Sequence, residues 1–321
     1  MLSGLGLLAV VSLLWGAGGG CGRASPATLR VGSNVWPGYE PLFLARDLGL
    51  FGGAPIQLLE FPSATEVIRA YRNRAIDVAA VTADEALLLA ESNPGQRLIL
   101  VCDVSRGADV ILARPAATSM LDLRGRRIGV ESGALGAYVL ARALALSGMS
   151  PQDVQVETVP LNQHEDAFQS GRVEAVVTFE PVRSRLLAAG AHQVFDSTRL
   201  PGEIVDVLVT RVELVEEERE SLQALVRGWF LAQARLRHDP IDSARRMAVR
   251  EGTTAEAFQA SLELLEFPDE AENRRLLGKG TNGLGAALGR LASEMLTHRL
   301  LLKAVEPEAL LETGLLPSAA P

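Results

Sequence analysis

The sequence predicts an α/β protein of two lobes with a helical C-terminal region. Short β-like runs alternate with amphipathic helical stretches from Thr28 onward, this alternation occurs in two sets, and the chain after residue 211 is almost purely helical in character. Alternating strands and helices form parallel sheets with helices on both faces, so two such sets predict two lobes.

The elements follow from the spacing of apolar residues. Apolar and β-branched runs predict strands at 29–34, 55–61, 77–82, 98–104, 108–114, 126–132, 154–160, 173–179, 192–196 and 204–211. Helical spacing predicts helices at 41–50, 65–74, 84–91, 136–147, 164–171, 181–190, 214–238, 240–251, 255–265 and 284–302. Pro115 and small residues interrupt the pattern at Arg114–Ser119, which predicts one crossover between the lobes, and we expect the return near Leu200–Gly202.

Length and composition limit the classes of function. A chain of 321 residues allows two domains of ordinary size, and 48% hydrophobic with 22% charged residues is typical of a globular protein. The net charge of −8 argues against nucleic acid as a partner, because phosphate binding needs a basic surface. We expect no disulfide between Cys21 and Cys102, since Cys102 ends an apolar run and is typical of a small buried side chain.

The first residues predict an export segment. An apolar run from Leu5 to Trp15 is followed by small residues and then Cys21, a pattern similar to a lipoprotein cleavage site. We therefore expect a signal segment over 1–21, lipidation of Cys21, a tether over 22–28 and a protein anchored to the membrane in the periplasm or at the cell surface. The alternative is an unlipidated signal peptide with an incidental cysteine, because no Lys or Arg precedes the apolar run.

Candidate binding residues follow the predicted strands, because ligands of open α/β sheets bind beyond the carboxyl ends of the strands. Trp36 and Tyr39 offer flat apolar walls with polar tips, and Thr82 is placed to cap a helix. The loop from Glu131 to Gly136 joins a strand to a helix N-terminus, where glycines let the backbone approach a ligand. The candidates reached in this way are Asn34, Trp36, Tyr39, Glu40, Thr82, Asp84, Asp109, Glu131, Ser132, Gly133, Gly136 and Thr178.

Each candidate also has a structural interpretation. Trp36 could be a core aromatic, Glu40 and Asp84 could simply favour the start of a helix, and the 131–136 loop could be an ordinary turn. Asp109 lies near the expected crossover, together with Asp103 and Asp206, so a solvated or hinge role is equally open for these three aspartates.

Several stretches, in order, resemble a known family. The segments NVWPGYEPLFLARDLGLF (34–51), IDVAAVTADEALLLA (76–90) and GRVEAVVTFEP (171–181) are similar to the nitrate/sulfonate/taurine-type solute-binding proteins of ABC importers, in the superfamily of thiamine-pyrimidine-precursor-binding-like proteins. The resemblance covers about residues 29–250. It implies a type II periplasmic-binding fold, with lobe one at 28–114 plus 204–321 and lobe two at 115–203. It also implies a monomer with an ABC permease as partner, and it makes Glu180 a ligand-facing residue.

The charge of the candidate residues predicts the charge of the ligand. Seven acids lie near the expected rim, and only Arg106 opposes them. Burying carboxylates without a cation costs several kcal/mol, so we expect a small ligand with an amine, an amidine or a protonated heterocycle. The alternative is that these acids point away from the cleft.

Two other functions share this fold. An enzyme that makes a pyrimidine precursor or dehydrates a chorismate-type substrate would need a placed acid–base pair. The four histidines are scattered and no HExxH, CxxC or GxSxG motif occurs, so we expect no catalytic residue, metal or cofactor, although His164 could reach the cleft. A receptor that reports to a sensor kinase would close in the same way and is not distinguished by the sequence.

Overall fold

Six strands form the first of two sheets in the computed structural model, which describes residues 27–280 and 283–318. The strand order is β11-β4-β10-β3-β1-β2. Its strands are β1 (Leu29–Asn34), β2 (Ile56–Phe61), β3 (Val78–Thr82), β4 (Gln96–Ser105), β10 (Val205–Arg211) and β11 (Leu265–Glu266). Strands β1, β2 and β3 are parallel, whereas β10 is antiparallel to both β3 and β4. The sheet is therefore mixed and not wholly parallel as predicted, because β10 returns from the other sheet.

Five strands form the second sheet, in the order β7-β6-β8-β5-β9. They are β5 (Val110–Ala113), β6 (Arg127–Val130), β7 (Gln155–Thr158), β8 (Ala175–Thr178) and β9 (His192–Asp196). Strand β5 is antiparallel to both of its neighbours, and β6, β7 and β8 are parallel.

The helices pack on the two sheets and define two lobes. The first lobe is the six-stranded sheet with the helices that cover it: α1 (Glu40–Asp47), α2 (Ala64–Arg72), α3 (Ala83–Ser92), α7 (Val212–Glu217), α8 (Arg219–His238), α9 (Pro240–Glu251), α10 (Ala255–Leu262), α11 (Glu270–Leu277) and α12 (Leu284–Thr297). The second lobe is the five-stranded sheet with α4 (Leu135–Leu146), α5 (His164–Gln169) and α6 (Val182–Ala188). Short 3-10 helices lie at Pro37–Tyr39, Met120–Leu123, Pro151–Asp153, Leu161–Gln163, Ser197–Arg199 and Pro307–Leu310. Within the described ranges, no helix is long and apolar enough to cross a membrane.

The chain passes between the sheets at two places. It leaves the first sheet after Ser105 and enters the second at Val110, so the first crossover precedes the predicted one at Arg114–Ser119. Gly107, with a φ of +114°, makes the bend, whereas the residues after Arg114 form a turn inside the second lobe. The predicted limit of lobe one at residue 114 therefore includes a strand of the second sheet. The return into β10 at Val205 follows the predicted crossover at Leu200–Gly202. The other predicted limits of the two lobes stay a prediction.

Buried apolar side chains explain why both sheets are stable. Strands β3 and β10 are buried along their whole length. The apolar run VAAVT suggests this for β3, whereas β10, VDVLVTR, also buries Asp206, Thr210 and Arg211. The long helix α8 buries Trp229 completely against the first lobe, and Val110, Leu112 and Leu186 belong to a separate core in the second lobe. The two lobes thus have partly separate cores and meet along a gap between the sheets.

Candidate functional site

Two small adjoining cavities lie in the gap between the lobes, and we call them the inner cavities. One is lined by Asn34, Trp36, Tyr39, Ala64, Thr82, Glu85, Asp109, Leu135, Phe179 and Asp206. The other shares several of these residues and adds Glu131, Ala134, Gly136, Val139, His164, Val177 and Thr178. Each encloses about 20 Å³, which is room for about one water molecule, so the cleft is closed in this structure.

An aromatic pair forms part of the wall. The ring of Trp36 meets that of Phe179 edge to face, with centroids 5.4 Å apart and planes at 89°, and this contact joins the two lobes. The indole Nε1 of Trp36 donates a hydrogen bond to Asp103 Oδ2 at 3.2 Å. Gly38 is required beside this bond, because a Cβ at that position would overlap both the Asp103 carboxylate and the indole nitrogen. The loop from Trp36 to Tyr39 therefore packs against the buried carboxylate of Asp103.

Strand register brings a group of acids together at this edge of the first sheet. Asp206 of β10 lies opposite Thr82 on one neighbour and opposite Asp103 on the other. The Tyr39 hydroxyl donates a hydrogen bond to Asp206 Oδ1. Among the described residues, and apart from a proton shared between Asp103 and Asp206, no donor reaches Asp103 Oδ1, Asp206 Oδ2 or Asp109 Oδ2, although all three side chains are at least 98% buried. Buried acceptors without donors are rare in folded proteins and call for an explanation.

Burial shifts the titration of these acids. Desolvation raises the pKa of Asp103 to about 8, that of Asp109 to about 7 and that of Asp206 well above its usual range. Repulsion between buried acids adds to the shift: Asp103 and Asp206 are repelled within this group, and Asp109 is repelled by Asp84 and Glu180. Hydrogen bonds oppose the shift, from Trp36 and Asp206 for Asp103, from Tyr39 for Asp206 and from Ser105 for Asp109. None of the described residues that line the inner cavities is a lysine or an arginine.

Two glutamates bridge the lobes in a reciprocal manner. Glu85 of the first lobe accepts the Leu135 N–H at the start of α4, at 3.1 Å, and also the Thr82 N–H, at 3.0 Å. Glu131 of the second lobe accepts the Thr65 N–H at the start of α2, at 2.8 Å. Burial and the neighbouring Asp84 raise the pKa of Glu85 to about 8. The N-termini of α2 and α4 are therefore already occupied by the protein's own carboxylates.

The structure brings together about two thirds of the sequence-predicted candidates. Asn34, Trp36, Tyr39, Thr82, Asp109, Glu131, Gly136 and Thr178 line the inner cavities. His164 also reaches them, but it bonds Thr178 Oγ1 and the Val159 carbonyl, and burial lowers its pKa to about 4. His164 is therefore a neutral member of the wall.

Five candidates do not line the inner cavities. Glu40 pairs with Arg250 at 3.1 Å, and Glu180 is held by Arg183 and Ser184 at the start of α6. Glu40 was selected because it follows the first strand, and Glu180 because the family resemblance implied a ligand-facing residue there. Asp84 is 2% exposed and burial raises its pKa to about 6, but it lies behind the cavity wall. Ser132 and Gly133 form the exposed outer side of their turn, where the Ser132 hydroxyl bonds Thr158.

The sequence-based selection missed three residues that matter. Glu85 was not selected because it is the third residue of a helix that Thr82 caps, where a glutamate normally serves only the capping box. The spacing of Thr82 and Glu85 that indicates this box is present in the sequence. Phe179 was overlooked beside Thr178. Asp206 was noted only as a residue of the returning strand, because its position depends on a pairing of strands that are distant in sequence. The predicted lipidation site, Cys21, lies outside the described residues.

Two α/β lobes joined by two crossovers, with a closed cleft between them, form the periplasmic-binding-protein fold, and solved structures share this fold. The alkanesulfonate-binding protein SsuA from Xanthomonas axonopodis pv. citri, bound to MOPS, matches with a TM-score of 0.77 at 21% identity, covering 91% of this chain and all of that one. The nitrate-binding protein NrtA from Synechocystis PCC 6803 matches with a TM-score of 0.72 at 14% identity, covering 89% of this chain and 85% of that one. The desulfurization enzyme DSZB matches with a TM-score of 0.66 at 19% identity, covering 90% and 97% of the two chains.

The chain belongs to the NMT1-like family, whose pattern matches residues 22–250. The resemblance drawn from the sequence motifs, and the two-lobed fold that it implied, are thereby confirmed. Among curated proteins, the "Putative aliphatic sulfonates-binding protein" of Escherichia coli strain K12 is 26% identical over 186 residues, which is 56% of this chain and 57% of that protein. The similarity thus spans little more than half the length of this relative.

Proposed function

We propose that the protein is the extracytoplasmic solute-binding component of an ABC importer and that it captures a small organic cation between its lobes. The observation that carries the ligand class is the pair of buried carboxylate oxygens, Asp109 Oδ2 and Asp206 Oδ2, that lack donors on residues lining the inner cavities. An ammonium, amidinium or protonated heterocycle would supply those donors and offset a desolvation cost of several kcal/mol. The flat walls of Trp36 and Phe179 suit the apolar or aromatic part of such a ligand.

An anionic ligand, as named for the sulfonate- and nitrate-binding relatives, is less compatible with this site. Anions usually bind at helix N-termini, and here Glu85 and Glu131 occupy the starts of α4 and α2. No lysine or arginine among the described lining residues replaces them. For the lobes to close around an anion at these positions, the anion would have to keep one of these carboxylates displaced and lie beside the others.

Binding would act by stabilising the closed state. Contacts to both lobes favour closure only to the extent that the ligand binds the closed form more tightly than the open one. Trp36 lies on the first lobe and Asp109 at the crossover. Phe179 and Leu135 belong to the second lobe, so one ligand in the cleft would contact both lobes. A permease would then recognise the closed form, as would a sensor kinase under the alternative interpretation.

We further propose that the protein binds without catalysis, as a monomer, and that Cys21 anchors it to a membrane through lipid. A catalytic role, as in the desulfurization enzyme of similar fold, would need a nucleophile or base in the cleft. His164 does not supply one, because both of its ring nitrogens are hydrogen-bonded and burial lowers its pKa to about 4. The cavity-lining aspartates with raised pKa values, Asp109 and Asp206, are assigned here to binding the cation. Mass spectrometry of the exported protein tests the anchor, because an unmodified Cys21 would contradict it.

A ligand screen tests the proposed function. Isothermal titration and thermal-shift measurements would compare amines, amidines and aminopyrimidines with nitrate, bicarbonate and methanesulfonate. We expect binding only among the cations and a release of protons on binding at pH 7, because the carboxyls with raised pKa values must ionise. Selective binding of nitrate or a sulfonate would contradict the cationic ligand but leave a solute-binding role intact, whereas a failure of all these solutes and their classes would contradict both.

A further inference from the structure

A larger cavity of about 390 Å³, the outer cavity, lies in the same gap between the lobes. It adjoins the inner cavities on both lobes. On the first lobe, Asn34 lines an inner cavity and the next residue, Val35, lines the outer cavity. On the second lobe, Phe179 lines an inner cavity and Pro181 lines the outer cavity. The outer cavity is therefore the next compartment along the gap, and a ligand longer than the inner space would extend into it.

Glu251 is the unusual residue of the outer cavity. Its side chain is 97% buried, and among the described residues no donor reaches either of its carboxylate oxygens. Burial, reinforced by the nearby Glu40, raises its pKa well above the usual range despite the adjacent Arg250. It is also the last residue of α9, where the helix dipole disfavours a negative charge.

The other charged groups of this region are already paired. Arg250 bonds Glu40 and Glu60 and lies 3.3 Å over the ring of Phe43. Arg185 pairs with Glu165 at 2.8 Å, on the opposite wall of the outer cavity. Glu180, which repels Glu251, is bonded by Arg183. Glu251 is thus a buried acid whose neighbouring cations all bond other carboxylates.

A structural role does not account for this arrangement. An acid that helped to hold the fold would be paired or hydrogen-bonded, since leaving it unpaired costs free energy without return. A glutamine or a leucine at this position would cost less folding free energy. A buried, unpaired acid beside an open cavity is instead typical of a binding site whose ligand supplies the hydrogen-bond donor.

We propose that Glu251 marks a second ligand subsite, which takes a second cationic, N–H-bearing group of the same molecule that the inner acids, Asp109 and Asp206 of the inner cavities, bind. This inference rests on the proposed function, and it narrows the ligand class to elongated molecules with cationic nitrogen at both ends, such as diamines and amines that carry an amidine. The inner acids bind one end, the ligand chain passes between Val35 and Pro181, and Glu251 accepts from the other end.

Matched probes test the second subsite. The α,ω-diamines from 1,3-diaminopropane to 1,8-diaminooctane would be titrated into the purified protein together with the primary monoamines of equal chain length. We expect at least one diamine to bind about tenfold more tightly than its monoamine, the effect of one charge-assisted hydrogen bond. Glu251→Gln should reduce that ratio to near one and leave monoamine binding unchanged. Glu157→Gln, which removes an acid that Arg172 pairs on the edge strand β7, is the charge-matched control and should preserve the ratio.

Each outcome is decisive. Equal diamine and monoamine affinities across the series, or a diamine preference that survives in Glu251→Gln, would overturn the second subsite while leaving the proposed cation binding intact. Binding of neither probe class to the wild-type protein would overturn an aliphatic amine as the ligand, and the second subsite for such amines with it, whereas the screen of amidines and aminopyrimidines separately decides whether the ligand is a cation. The melting temperature of Glu251→Gln should equal or exceed that of the wild type, which distinguishes a lost subsite from a damaged fold.

Discussion

Replacing Asp109 by asparagine should change how stability depends on pH. Asp109 lies at the crossover, lines both inner cavities and is 2% exposed, and its Oδ2 has no donor among the described residues. The amide keeps the shape of the side chain but carries no ionisable proton. Any pH dependence that the carboxyl contributes should therefore disappear in Asp109→Asn.

The sign and size of the effect follow from the pKa of Asp109, which burial raises from 3.8 to about 7. The folded protein keeps a proton that the unfolded chain releases between these values, so stability is lost as the pH rises from about 4 to about 7. The full difference corresponds to roughly 4 kcal/mol. This is an upper limit, because opening of the cleft would let water reach the carboxylate.

Urea denaturation of both proteins from pH 4 to pH 8 measures the difference. We expect Asp109→Asn to gain stability relative to the wild type as the pH rises, by up to about 4 kcal/mol. His164 contributes the opposite slope, because its lowered pKa makes the free energy of unfolding rise with pH above about 4. This contribution is the same in both proteins and cancels in the difference between them. Asp47→Asn, which removes an exposed carboxylate, is the control. Parallel curves for Asp109→Asn and the wild type would refute the assignment of a buried, protonated acid in the closed cleft.

Three further variants test the site and its support. Trp36→Ala should weaken cation binding about 30-fold, measured by calorimetry, because a buried aromatic wall contributes roughly 2 kcal/mol, and unchanged affinity would remove Trp36 from the site. Arg142→Gln breaks the 3.0 Å ion pair with Glu294, which joins α4 of the second lobe to α12 of the first, so small-angle scattering of the unliganded variant should show a larger radius of gyration. Arg250→Ala should cost about 3 kcal/mol of unfolding free energy at pH 8, because it strands the buried Glu40. Adding Glu40→Gln should recover most of that loss, and a persistent loss would assign it to packing on Phe43 instead.

The sequence predicted the architecture well where local pattern decides the structure. The apolar run of β3, the valine-rich run of β10 and the helical spacing of α9 correspond to the elements observed. The predicted helix over 214–238 is divided at Glu218 into α7 and α8. Helix α11 was not predicted, because its sequence EAENRRLL contains few apolar residues and buries only Asn273 and Leu277.

The site was predictable only as far as strand ends reveal it. Asn34, Thr82 and Thr178 end their strands, and the rule for open sheets places them at the cleft. The state of each acid depends instead on partners that are distant in sequence. Glu40 is neutralised by Arg250, 210 residues away, whereas Asp206 meets Asp103 only through the register of β10. Sequence alone therefore could not separate paired acids from those available to a ligand.

The crossed arrangement of Glu85 and Glu131 has a consequence for the choice of buffer. When the lobes separate, the starts of α2 and α4 lose their carboxylate partners and become vacant positions for anions. Sulfate and phosphate should therefore compete with closure and favour the open form. Affinities measured in such salts would then understate how tightly the protein holds its solute, and chloride would be the safer counterion.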